Sequence, residues 1–104
     1  MTIVQRRVFY GKVGKGFELI EHLQEGNIMA RGAGMAIKPR VLSDYHSGRT
    51  DRVAVEWEVE SYQELEALET EMWQYEGDEE MVERWLARLN GLIEYAEVET
   101  WRVH

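Results

Sequence analysis

Cysteine is absent from the 104 residues. With it go disulfides, thiolate nucleophiles, zinc-thiolate sites and iron-sulfur clusters, so cohesion must come from packing and from association with other chains. Proline occurs once, at Pro39, where it pushes Lys38 out of helical backbone and restarts the chain in extended form. Positive charge is also scarce. Twelve Lys and Arg against twenty Asp and Glu leave a formal charge of −8. Polyphosphates are repelled by such a chain, so neither nucleic acid nor an anionic membrane surface is an expected partner. No apolar stretch approaches the roughly 20 residues that a membrane-crossing helix needs. Nor does a basic segment followed by an apolar run open the chain, so a cytoplasmic location is expected.

What is present is a chain that can fold. Hydrophobic residues make up 44% and charged residues 31%, enough for one globular domain over residues 1–104 with a modest core. Thr2 to Tyr10 is rich in β-branched and aromatic residues, with apolar groups on both alternating faces, and reads as a strand covered on both sides. From Gly16 to about Arg31 the spacing of Phe17, Ile20, Leu23, Asn27 and Ile28 predicts an amphipathic helix flanked by Leu19 and Met29. Gly26 weakens that helix by about 1 kcal/mol relative to Ala, and Gly32 and Gly34 suit its end.

Arg40 to His46 reads as a second strand, turned by Ser47 to Asp51 into a third. That third strand, Arg52 to Glu60, alternates strictly, with Val53, Val55, Trp57 and Val59 on one side. Ser61 to Glu64 is an S-x-x-E capping box, in which hydroxyl and carboxylate satisfy free backbone N–H groups. The helix it starts carries Tyr62, Leu65, Leu68 and Met72. Asp78 caps a further helix bearing Met81, Val82, Trp85, Leu86, Leu89 and Ile93, with a Glu80/Arg84 ion pair outside and a stop at Asn90-Gly91. Ile93 to Val103 alternates as a fourth strand. The order β-α-β-β-α-α-β predicts an α+β ferredoxin-like sandwich, a four-stranded antiparallel sheet with helices on one face. Its other face stays open, and a second copy of the chain is the expected cover, making a homodimer.

The candidate chemistry is diffuse. Asp44 and His46 fall on the same side of the predicted second strand, where a carboxylate can orient an imidazole for acid-base work. His22 and His104 are expected to be solvent-exposed. First and third strands are expected to be neighbours, which would let Glu56 or Glu58 pair with Arg6 or Arg7. Trp57 and Trp85 lie on apolar stripes and read as core, whereas Trp73 and Trp101 are freer to line a pocket or an interface. The acids from Glu69 to Glu80 read as a solvated face and match no calcium loop. Gly11 to Gly16, at a strand-to-helix junction, lacks the spacing of a dinucleotide or nucleotide-phosphate loop but is open to an anion at the helix start. No motif calls for a cofactor or a metal.

The run QRRVFY followed by KVGKGFELIEHL, and the later run TDRVAVEWEVES, resemble the opening and third strand of NIPSNAP-like domains, in the dimeric α/β-barrel superfamily. Arg7 matches the arginine near the centre of that family's first strand. Val55 departs from it, standing where related third strands often carry a histidine. The resemblance implies a homodimer whose two sheets face each other as a barrel, without implying one reaction. The function expected is binding of a small apolar or amphipathic ligand in that barrel, by Arg7, Tyr45, His46, Glu56, Trp57 and Trp73. The alternative is a cofactor-independent oxygenase or haem-handling enzyme of the antibiotic-biosynthesis-monooxygenase type, with His46 supplying the chemistry.

Overall fold

Strict alternation makes the third strand the ruler of the structure. In the computed structural model, which describes residues 2–32, 34, 38–44, 50–73 and 79–104 and only the backbone of 71–73, it runs Arg52–Val59 as β3. The other elements are β1 (Thr2–Gly11), α1 (Gly16–Gly32), β2 (Arg40–Ser43), α2 (Tyr62–Trp73), α3 (Glu79–Leu92) and β4 (Ile93–Val103). This is the order read from the sequence, and the chain is α+β. The expected turn at residues 47–49 and the cap at Asp78 lie outside the described residues. No helix among the described residues is long and apolar enough to cross a membrane.

The sheet order is β2-β3-β1-β4, antiparallel throughout. Register assigns each side chain to a face. Ile3, Gln5, Arg7 and Phe9 of β1 stand opposite Val59, Trp57, Val55 and Val53 of β3. All three helices lie on that side. Leu19 and Leu23 of α1, Leu65 and Leu68 of α2, and Leu89 and Leu92 of α3 close the core over Ile3, Phe9 and the β3 valines. The result is a slab 39 × 37 × 18 Å, thin because there is only one layer of helices. Val55, the departure from the related pattern, is simply one of these core residues.

Two local expectations change. The buried stripe of α1 keeps Leu23, with Ile20 packed against the core, but is centred on Leu19 and His22, and Phe17 and Ile28 of the predicted stripe stand 85% and 64% exposed. Gly26 continues this stripe: a β-carbon there would meet the Trp85 ring at 2.6 Å, so its missing side chain lets α1 approach α3. Helix propensity is given up there for a close helix contact. The second change is at Asn90-Gly91, where α3 does not stop. It runs through to Leu92 and passes directly into β4.

The capping box forms with one variation. Ser61 Oγ accepts from the Glu64 N–H at 3.1 Å, and the Glu64 carboxylate accepts from the Glu60 N–H at 2.7 Å, one residue before the cap. Glu80 and Arg84 lie 3.9 Å apart on the exposed side of α3.

Candidate functional site

A strand sends neighbouring residues to opposite faces, so Glu56 and Trp57 cannot share a site within one chain. The predicted set is accordingly divided by the sheet. Arg7 and Trp57 lie under the helices, and Glu56 lies on the open face. Tyr45 and His46 are outside the described residues, as is the side chain of Trp73.

On the open face, Glu56 is the hub. Its Oε2 accepts from Arg6 Nε at 3.0 Å and Arg6 Nη2 at 2.8 Å, and its Oε1 pairs with Arg40 across the β2-β3 ladder. Of the expected partners it is Arg6, not Arg7, that takes the carboxylate. Arg6 hydrogen bonds, helped by Arg40, hold the Glu56 carboxyl below its ordinary range despite burial, which acts the other way. Only 4% of Glu56 is exposed even without anything over the face. Arg6 also lies 3.6 Å from Glu99.

Beside this ionic centre runs an apolar, aromatic border. Tyr10 stacks on Tyr95 with centroids 4.4 Å apart, and its hydroxyl donates to Glu97 at 3.3 Å. Trp101, opposite Val4, donates its indole N–H to Glu99 at 3.1 Å yet is 57% exposed. Val103 and Leu42 are exposed on the same face.

Of the expected Asp44/His46 pair, only Asp44 is among the described residues. Strand β2 ends at Ser43, and Asp44 accepts from Arg52 Nε at 2.7 Å with its N–H bonded to the Arg52 carbonyl. Asp44 draws the Arg52 pKa upward by hydrogen bonding and charge, so the carboxylate is already engaged.

The anion expected at the start of α1 is the chain's own. Asp51 adopts a left-handed backbone with φ 61° and sends its carboxylate to Gly14 N–H at 3.1 Å and Gly16 N–H at 2.9 Å. These two hydrogen bonds lower its pKa. A β-carbon at Gly16 would come within 2.7 Å of that carboxylate, which explains a glycine at the first helical position.

Under the helices the picture is different. Gln5 is directly opposite Trp57, and Arg7 is two residues along β1 on the same face. Gln5 is 3% and Trp57 7% exposed, and Gln5 Oε1, Trp57 Nε1 and Arg7 Nε are buried without hydrogen-bond partners. Gln5 was not anticipated. Its position two residues from Arg7 on a strand was the available signal. His22 is buried too, contrary to expectation. Its Nε2 lies 2.8 Å from the Trp85 carbonyl, which can only accept, so the proton sits on Nε2. The rings stack at 4.6 Å, Trp85 Nε1 donates to the His22 carbonyl at 3.1 Å, and Glu25 lies 3.7 Å from His22 Nδ1. This is a reciprocal clasp between α1 and α3. Among the described residues no cluster of three metal-ligating side chains forms.

No protein-family model matches the chain, and no curated protein matches it in sequence. Its fold is nonetheless shared with solved structures. An uncharacterized NIPSNAP domain protein from Burkholderia xenovorans superposes with a TM-score of 0.77 at 16% identity, over 98% of this chain and 94% of that one. A NIPSNAP family protein from Agrobacterium tumefaciens gives 0.71 at 22% identity, over 100% and 94%. A dimeric protein of unknown function and ferredoxin-like fold from Bacteroides fragilis gives 0.63 at 14% identity, over 98% and 96%. At these identities the likeness is one of fold.

Proposed function

From this NIPSNAP-like, ferredoxin-like fold we propose that the chain is a homodimeric α/β-barrel protein that also holds a small apolar or amphipathic molecule. The observation that carries the dimer is the unfinished open face. Its arginines are already paired within one sheet, Arg6 and Arg40 with Glu56 and Arg52 with Asp44, while Trp101, Val103 and Leu42 are left in water. Covering such a surface removes apolar area from water without burying an unpaired cation. A second copy is the fitting cover, since a two-fold axis brings one sheet's apolar border onto its equivalent. The Bacteroides fragilis structure of the same fold is described as dimeric, which supports the reading.

The two halves of the proposal use opposite faces of one sheet. The open face takes the second copy, and the molecule, expected from the sequence inside the barrel between the two sheets, is proposed instead for the helix-covered face, where Arg7 and Trp57 lie. Nothing among the described residues favours the oxygenase or haem reading over this one.

Light scattering on the purified chain should give about twice the 12.2 kDa chain mass at micromolar concentration. Trp101→Asp should raise the dimer dissociation constant at least about 100-fold, roughly 2.7 kcal/mol, as expected when an exposed aromatic anchor is replaced by a charge. An amphipathic fluorescent dye should bind the wild type and also the Trp101→Asp monomer, because the molecule's face is not the interface. A wild-type monomer would sink the dimer, and absence of any dye binding would count against the ligand.

A further inference from the structure

Resting on the ligand half of that reading, we propose that Gln5, Arg7 and Trp57 form a site for a small organic carboxylate with an apolar body, between the sheet and the helices. The three side chains occupy one strand pair. Directly opposite residues such as Gln5 and Trp57 have β-carbons about 5 Å apart. Residues two apart, such as Gln5 and Arg7, are separated by roughly 7 Å along the strand. Their polar groups therefore cluster on one patch of the helix-covered face.

Those groups are unpaired where pairing is expected. A buried donor or acceptor without a partner is uncommon in folded proteins, and three on one patch of two strands point to a ligand that supplies what the chain does not. Two of the three atoms, Arg7 Nε and Trp57 Nε1, are N–H donors, so they ask for acceptor oxygens. Arg7 adds a full positive charge. In a chain of net charge −8, its neighbours Arg6, Arg40 and Arg52 all find carboxylates, yet no carboxylate among the described residues pairs with Arg7. A planar monoanion answers both needs, since one carboxylate offers two oxygens to a guanidinium and an indole N–H. A phosphate dianion fits less well, because one arginine leaves half its charge uncompensated. Gln5 adds a carboxamide oxygen that can accept from a hydroxyl or amide on the same ligand.

The approach and the apolar body are set by β4. Arg7 is opposite Val98, and on the helix-covered side Ala96, Val98 and Thr100 are all exposed, Val98 at 55%. The helix layer thus stops short of this edge strand, and a ligand can enter over Val98 with its carboxylate leading toward Arg7. Its apolar part then lies on Val98 and Ala96, removing them from water.

Fluorine NMR titration of the full chain with 4-fluorophenylacetate and with neutral 2-(4-fluorophenyl)ethanol separates the possibilities. The carboxylate should bind at least tenfold more tightly than the alcohol. Arg7→Gln should weaken it at least tenfold while leaving the alcohol unchanged. Replacing Trp57 with the isosteric 3-benzothienylalanine, which removes only the indole N–H and guards against a folding defect in the arginine variant, should weaken it several-fold. Equal binding of acid and alcohol would overturn the carboxylate site but leave amphipathic ligand binding standing. Binding of neither at millimolar concentration, with water alone serving the three groups, would overturn both. Carboxylate affinity that both substitutions leave unchanged would overturn the site itself. Light scattering on the same samples reports the dimer separately.

Discussion

The two faces of the sheet fail in opposite ways. Under the helices the apolar side chains are satisfied, with Ile3 and Leu19 wholly buried, but Gln5 Oε1, Arg7 Nε and Trp57 Nε1 lack partners. On the open face the arginines find carboxylates, but Trp101, Val103 and Tyr95 remain in water. A polar shortage and an apolar shortage call for different complements. The first fits a small molecule with charge and hydrogen-bonding atoms, the second a broad surface like the chain's own. Charges already paired make an association face easier to dry, while unpaired polar atoms make an interior selective.

If monomer stability resides under the helices, deleting a fully buried side chain there should dominate. Leu19→Ala should cost about 2–5 kcal/mol in urea unfolding, from lost burial and the cavity left behind. A cost under 1 kcal/mol would show that the helix layer is not what holds the sheet. Next in size, Gly26→Ala should lose about 1–3 kcal/mol despite alanine's better helix propensity, because the Trp85 ring stacked on His22 must move. A gain in melting temperature would mean that α1 and α3 can separate freely.

Acid tests the open face. The Glu56 carboxyl titrates below its ordinary 4.5 because Arg6 and Arg40 favour the charged form. Its contribution is fully present above that ordinary value and is lost as pH falls through the depressed folded-state pKa. Thermal melts should therefore show falling stability below about pH 4.5, and Glu56→Gln should flatten that slope while lowering stability at neutral pH. Asp51, lowered from 3.8, loses its share in the same direction at lower pH. An unchanged acid slope in Glu56→Gln would remove the carboxylate from the account. The smallest effect is expected, without ligand, when Trp57 is replaced by its sulfur isostere 3-benzothienylalanine. Deleting an unpartnered N–H at nearly constant shape should leave stability within about 1 kcal/mol of wild type. A larger loss would reveal a hidden partner for that N–H and weaken the contrast between the faces.

How far this was readable from sequence depended on whether polarity and position agreed. In β3 they agreed everywhere but at the buried Glu56, and in the capping box at Ser61, so strand, helix start and topology were all legible. In α1 they did not. A histidine and a glycine occupy the buried stripe while Phe17 and Ile28 point outward, so hydrophobic spacing found Leu23 and Ile20 but set the stripe's centre wrongly. The candidate site suffered in a related way. Arg7, Glu56 and Trp57 were grouped by chemistry, although alternation along β3 already placed Glu56 and Trp57 on opposite sides. Gln5 was overlooked because an uncharged amide on a strand carries no signal until its neighbours bury it.

The Asp51 contact also bears on how the chain avoids a mispaired sheet. The Gly11 N–H donates to the Asp51 carbonyl at 2.9 Å, extending the β1-β3 ladder one step past Tyr10 and Arg52. The same residue's carboxylate grips the start of α1. A slip of one residue between β1 and β3 would turn every side chain of a strand to the other face. It would also pull Asp51 away from Gly11, Gly14 and Gly16 at once. One aspartate thus works as an end stop for strand alignment, and it is this alignment that keeps Arg7 under the helices and Arg6 beside Glu56.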